Sequence, residues 1–299
     1  MKSKNFKHAI HNCDQSHIFQ RFLQYSTIQE GLALKQISIF LFITMLLGFV
    51  IPESGTSAPR LVSDSSSVTQ LIIEGDNFSE KTFDNQKALE RFIAASKVAP
   101  NNYEILWRLS RTYVDIGEHL SNKTDAEKKI QLEHYEKSLE YANQAVQVNP
   151  TGAMGFIRRA IASGRIALFR GIWESLSLVK QVKADCEKAI SLDVTAPAAY
   201  YLLGRTNAKV CEKPKIVRWP LGLGWASMDD AIINYEKSIE LRPGFIMYRL
   251  DCARAYIDEG EYAKAREHLN KISSLAKEDE DDDNFRKEAA DLLETIKGK

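Results

Sequence analysis

Three arginines recur with the same company. Arg111, Arg205 and Arg254 each follow a large residue by one helical turn, namely Trp107, Tyr201 and Leu250. Glu104, Ala198 and Met247 stand one turn earlier again. A guanidinium beside such a wall suits carboxylates and phosphates, because its planar fork donates two parallel hydrogen bonds. The competing reading is that these arginines pair with neighbouring Glu or Asp and only keep a groove solvated. Other chemistry is hard to find. No G-x-S-x-G, H-E-x-x-H, P-loop or G-x-G-x-x-G follows a strand pattern. Gly222 and Gly224 lie in an aromatic loop and lack a third glycine. Cys13, Cys186, Cys211 and Cys252 form no C-x-x-C pair, and Cys186 and Cys252 read as small buried hydrophobes. His119, His134 and His268 are dispersed and read as surface or helix-end residues, while His8, His11 and His17 have no core nearby to fix them. Asp279, Asp281 and Asp283 could open a calcium loop, but its sixth position is Asn284 and its twelfth is Ala290. The expectation is a chain with no catalytic residue, no metal and no cofactor.

The elements that must position the arginines show best in residues 246–272. Ala253 and Tyr256 precede Gly260, and Ala265, Leu269 and Ile272 follow it, all at helical spacing. That is helix, tight turn, helix. The small residues allow two helices to cross closely, and Tyr256 and Tyr262 fill the space beside them. This pattern resembles a tetratricopeptide repeat (TPR), whose hairpin cannot bury its apolar face alone and needs neighbouring copies. The copies are present. Second helices recur at Ala88, Phe92 and Ala95; at Ser138, Ala142 and Ala145; at Val182, Cys186 and Ala189; and at Ala231, Tyr235 and Ser238. Pro100, Pro150 and Pro243 close three of them, since proline cannot continue a helix. First helices recur at Leu106, Leu109, Ser110 and Tyr113, at Phe156 and Ala160, and at Tyr200, Leu203, Gly204 and Asn207. The expected fold is all-α: a TPR-like α-solenoid over residues 70–299. In such a superhelix the first helices line the concave side, which places the arginines in one groove. The acidic run 278–283 suits the start of a closing helix, with Leu292, Leu293 and Ile296 covering the last repeat.

Plain TPRs repeat every 34 residues. Here the closing prolines are 50 and 93 residues apart, so the copies are oversized. Extra length falls near residues 117–130, 164–180 and 210–228, and must project from one edge. With these lengths, the stretch E-I-L-W-R-L-S-R from Glu104, Y-E-K-S-L-E-Y-A-N-Q-A-V from Tyr135 and W-P-L-G-L-G-W from Trp219 together resemble the regulator of microtubule dynamics family. The resemblance covers residues 71–272. It implies a TPR-like adaptor, in a family with links to microtubules, mitochondria, membrane contacts and, for one member, lipid.

Residues 1–34 are polar, and residues 37–51, I-S-I-F-L-F-I-T-M-L-L-G-F-V-I, carry no charge. The run resembles the apolar part of a secretory signal and is short for a membrane span, which wants about 20 residues. A buried core helix is the alternative, although no polar positions give it an outer face. Residues 1–58 therefore read as a targeting segment, cleaved or anchoring, and residues 59–69 as a Ser-rich linker. An exported N-terminus departs from a cytosolic role. The 40 basic and 40 acidic residues balance, so charge gives no reason to expect nucleic acid. The functional expectation is a non-enzymatic scaffold, exported, periplasmic or membrane-anchored, that binds a protein or an acidic peptide. A lipid or small-amphiphile carrier is the alternative, suggested by the aromatic insert at Trp219 and Trp225.

Overall fold

A computed structural model describes residues 60–299. The apolar run 37–51 and the targeting expectation attached to it lie outside the described residues. None of the described helices is long and apolar enough to cross a membrane. Among the described residues there are helices and no strands.

Five helical hairpins follow one another. They are α1 (Arg60–Glu80) with α2 (Asn85–Val98), α3 (Tyr103–Glu118) with α4 (Asp125–Val148), and α5 (Ala153–Ala167) with α6 (Ile172–Leu192). Then come α7 (Pro197–Cys211) with α9 (Met228–Leu241), which bracket the short α8 (Lys215–Arg218), and α10 (Ile246–Asp258) with α11 (Tyr262–Ile272). The closing helix α12 spans Asp282–Thr295. The array is the TPR-like solenoid read from the periodicity. Every second-helix position named above is buried, from Ala88, Phe92 and Ala95 to Ala265, Leu269 and Ile272.

The helix starts have local causes. Asn102 accepts from the backbone of Glu104 and Ile105, Ser227 accepts from Asp230, and Thr124 with Glu127 forms a reciprocal capping box. Gly260 turns α10 into α11 at φ +77°, a conformation that L side chains rarely adopt. Gly204 marks a close crossing with backbone: a Cβ there would meet the backbone oxygen of Ala231 at 2.9 Å. The extra length is spent differently in each repeat. The second hairpin puts most of it into α4, at 24 residues against 14 for α2. The fourth puts it into a loop around α8, where Ile216, Val217 and Trp219 are exposed.

One expectation is corrected here. The supposed linker is helical from Arg60, and α1 forms the first helix of the first hairpin. Ser65, Ser66 and Ser67 occupy its exposed side, but Val68 is buried and packs with Leu71 and Ile72 onto Phe92 and Ile105. That apolar spacing outweighs the weak helix preference of serine.

The closing helix behaves as expected. Ile296 is buried, and Leu292 and Leu293 pack with it against the fifth hairpin. Asp282 is buried at the helix start and accepts from the backbone N–H of Glu278 at 2.7 Å and of Asp279 at 2.9 Å. The loop leading into this helix also reaches the start of the array. Asn85 donates to Glu280 at 2.9 Å, and His119 Nε2 lies 3.6 Å from Glu280 and 3.5 Å from Asp281. Lys277 sits 5.7 Å from the ring of Phe83. The row of hairpins thus winds back until its beginning touches its end.

Candidate functional site

The inner helices gather arginines around one indole. Trp107 on α3 is 9% exposed, and its Nε1 donates to Glu104 at 3.0 Å. Three guanidiniums surround its ring: Arg108 at 4.0 Å from the centroid, Arg158 at 5.7 Å and Arg111 at 5.8 Å. The ring's negative faces attract cations at such distances.

The three cations are not equally satisfied. Arg108 grips Asp76 through both carboxylate oxygens at 2.8 and 3.0 Å, and Glu104 at 2.7 Å. Arg111 pairs with Glu80 at 2.8 Å, with Asp76 at 3.5 Å and with Asp115 at 4.0 Å, and donates to Ser79. Arg158, on α5, forms no ion pair among the described residues, and its Nε is buried without a partner. Burial first, and then the nearby Arg111, push its pKa down to about 10, against the pull of Asp115 and Tyr248. Asp115 is also displaced: burial lifts its carboxyl to about 6, although Arg111 and Arg158 oppose the rise. Arg158 is therefore a charged, half-buried donor with unused hydrogen-bonding capacity.

Its neighbour in sequence shows the contrast. Arg159 holds the buried Asp185 in two parallel bonds, at 2.9 and 2.6 Å, and clasps α5 to α6. One arginine of the pair is structural, and the other has Asp115 near it but forms no ion pair among the described residues.

The sequence placed Trp107, Arg111, Tyr201, Arg205, Leu250 and Arg254 in a single groove. Trp107 and Arg111 do stand together. Arg205 and Arg254 meet each other through the buried Asp251: Arg254 pairs with it directly, and Arg205 lies 3.9 Å away. Tyr201 donates to the same carboxylate at 2.7 Å and receives from Arg205 at 2.8 Å. Arg254 also pairs with Glu288 of the closing helix. Leu250 is fully buried, so it packs the core and does not face an open groove. Tyr201 is 4% exposed and stacks on Tyr248 at 4.7 Å. Arg111, Arg205 and Arg254 each have an acidic neighbour on another helix, which is the competing reading of these residues. Arg158 escaped the sequence because the third repeat is weakly patterned and Arg111's position there holds Ile161; Asp115, on α3, follows Arg111 by one turn and reads as an ordinary helix-surface acid.

Residues 71–297 match the model of the family described as Regulator of microtubule dynamics protein 1-3. The chain belongs to this family. Among curated members, Regulator of microtubule dynamics protein 3 of Rattus norvegicus is 27% identical over 270 residues, covering 85% of this chain and 55% of the relative. Protein 2 of Mus musculus is 27% identical over 203 residues, covering 65% and 48%. Protein 1 of Bos taurus is 27% identical over 196 residues, covering 64% and 61%. The chain thus spans about half the length of the family members it matches. A thermophilic TPR protein of Thermus thermophilus has the same fold, with a TM-score of 0.57 at 17% identity over 76% of this chain and 98% of that one. This likeness agrees with the TPR-like solenoid described above.

Proposed function

We propose that this chain is a non-enzymatic scaffold that holds a protein segment on its inner helices, through an acidic group delivered to Arg158. The Arg158 guanidinium beside Trp107, which forms no ion pair among the described residues and whose buried Nε has no partner, carries this reading. A carboxylate there would gain a charge-assisted bond, worth roughly 1.5–3 kcal/mol when shielded from water. Arg111, 5.8 Å from the same ring, is the second donor such a group would meet. Fluorescence anisotropy tests the reading, with labelled acidic, neutral and basic peptides of equal length. The acidic set should bind, more weakly at higher salt, and Arg158→Met should weaken it by about tenfold, one charge-assisted bond's worth. Equal binding of all three sets, or binding untouched by the substitution, refutes it.

The exposed Ile216, Val217 and Trp219 favour a second reading, in which the fourth repeat's insert meets a lipid or another amphiphile. Native mass spectrometry of protein purified without detergent separates the two, because a bare polypeptide mass counts against the amphiphile. The compartment is part of the proposal: residues 1–60 direct export or anchoring, supported by the uncharged run 37–51. Fused to a reporter active only outside the cytoplasm, they should give activity, and a silent reporter removes this part.

A further inference from the structure

A second cluster lies in the last two hairpins, apart from Trp107 and its arginines. Glu236 comes from α9, Cys252 from α10 and His268 from α11. The sequence alone made Cys252 a buried hydrophobe and His268 a surface or helix-end residue. His268 is instead buried, 8% exposed, and Cys252 is fully buried. His268 Nε2 lies 3.0 Å from Glu236 Oε1 and 3.8 Å from Cys252 Sγ. One ligand atom from each of the three falls within 4.8 Å of the others. No other group of this kind occurs among the described residues.

We infer that Glu236, Cys252 and His268 form a binding site for a divalent transition-metal ion of the zinc type. The donor set points there: a thiolate, an imidazole and a carboxylate are the ligands zinc takes, and a thiolate excludes magnesium and calcium as preferred occupants. The spacing fits as well. Zinc bonds of about 2.3 Å to sulfur and about 2.0–2.2 Å to nitrogen and oxygen place tetrahedral ligand atoms roughly 3.3–3.6 Å apart. The observed separations of 3.0 and 3.8 Å bracket that range, so small side-chain shifts suffice. Charge balances too, because one dication meets one thiolate and one carboxylate and leaves no net charge in the core.

Two groups converge on one carboxylate oxygen: Tyr256 donates to Glu236 Oε1 at 2.8 Å, and His268 Nε2 lies 3.0 Å from the same atom. His268 Nδ1 is buried with no partner, so the ring is fixed only at the Nε2 side. Tyr256 stacks on that ring at 5.7 Å between centroids and holds its plane. Binding displaces the thiol proton to solvent, and coordination through Nε2 leaves the ring's N–H on Nδ1. The Glu236 side chain is 42% exposed and gives the ion and a fourth, water ligand their way in.

The test uses the full chain in a Cys13→Ser background, which removes the thiol near His8, His11 and His17. Cobalt(II) is titrated first, because a thiolate ligand gives a charge-transfer band in the near ultraviolet; zinc is then added to displace it. The expected result is one equivalent of cobalt with the thiolate band, its loss on adding zinc, and a zinc-dependent rise in unfolding temperature that a chelator reverses. Cys252→Ser should abolish the band, His268→Gln should weaken cobalt binding at least tenfold, and Cys186→Ser and Cys211→Ser should change neither. Circular dichroism of each variant keeps a folding defect apart from a lost ligand. No thiolate band in the parent overturns the inference, as does a band that survives in folded Cys252→Ser.

Discussion

Arg158→Met should make the unliganded protein more stable while it destroys the site. A guanidinium whose pKa falls from 12.5 to about 10 is disfavoured as a cation. At about 1.4 kcal/mol per tenfold change, complete desolvation would set that cost near 3 kcal/mol. Arg158 is only half-buried, and water screens part of the penalty, so about 1–2 kcal/mol is the working figure. Methionine keeps the aliphatic stem and gives up the attraction to Trp107, roughly 0.5–1 kcal/mol. The net gain is about 1 kcal/mol, or roughly 2–4 °C in unfolding midpoint for a domain of this size. The penalty applies wherever the side chain is charged in both states, which is everywhere below about pH 10. It should grow below pH 6, where Asp115 loses its compensating charge. Differential scanning calorimetry at pH 7, in low and high salt, measures it. Arg159→Met is the control, because it strands the buried Asp185 and should cost about 3–5 kcal/mol. Two adjacent arginines are thus assigned opposite signs. A midpoint that falls by several degrees in Arg158→Met would mean that this guanidinium is structural, and the reasoning from its missing partner would fail.

Asp115 should give the proposed binding a pH dependence. Its carboxyl, raised to about 6, is charged above that pH and competes with a ligand for Arg111 and Arg158. Affinity for an acidic peptide should therefore rise as pH falls through 6, and Asp115→Asn should flatten the profile. His119 has its own dependence. Burial lowers its pKa, but the Asp115 carbonyl, Glu280 and Asp281 outweigh that and leave it raised. A raised folded-state value adds stability that is complete below the unfolded value, near 6.5, and is lost as pH climbs through the folded one. Hydrogen exchange around residues 276–282 should quicken over that window, and His119→Gln should remove the effect. Gly204→Ala gains about 1 kcal/mol of helix propensity but drives a methyl into the Ala231 carbonyl at 2.9 Å. Overpacking against backbone costs about 1–3 kcal/mol, so chemical denaturation should show a net loss of roughly 1 kcal/mol.

The solenoid was legible because periodicity states which side of a helix is buried, and each hairpin is local. Ala88, Phe92 and Ala95 already declare a packed face before any neighbour is known. The Ser-rich start of α1 misled because composition was weighed over the spacing of Val68, Leu71 and Ile72. The arginine row was only half legible. Repeat register puts Arg111, Arg205 and Arg254 at equivalent positions, but their acidic partners come from other helices. Arg111 meets Glu80, 31 residues away, and Arg254 meets Glu288, 34 residues away. Which charge stays unpaired is decided by the curvature of the whole array. For the same reason no motif announces Arg158, or the meeting of Glu236, Cys252 and His268.

The contact between the beginning and the end of the array changes how the protein should come apart. An open repeat array is a one-dimensional chain with two free boundaries, and unfolding fronts enter there because a terminal unit has one neighbour and not two. Asn85, His119 and Lys277 join those boundaries through Glu280, Asp281 and Phe83. The two boundaries thereby gain a weak link to each other, worth about 1 kcal/mol at these partly exposed groups, which opposes fraying at the first hairpin and at the closing helix together. Cutting the clasp should therefore broaden the unfolding transition, because the two tips then melt independently of each other.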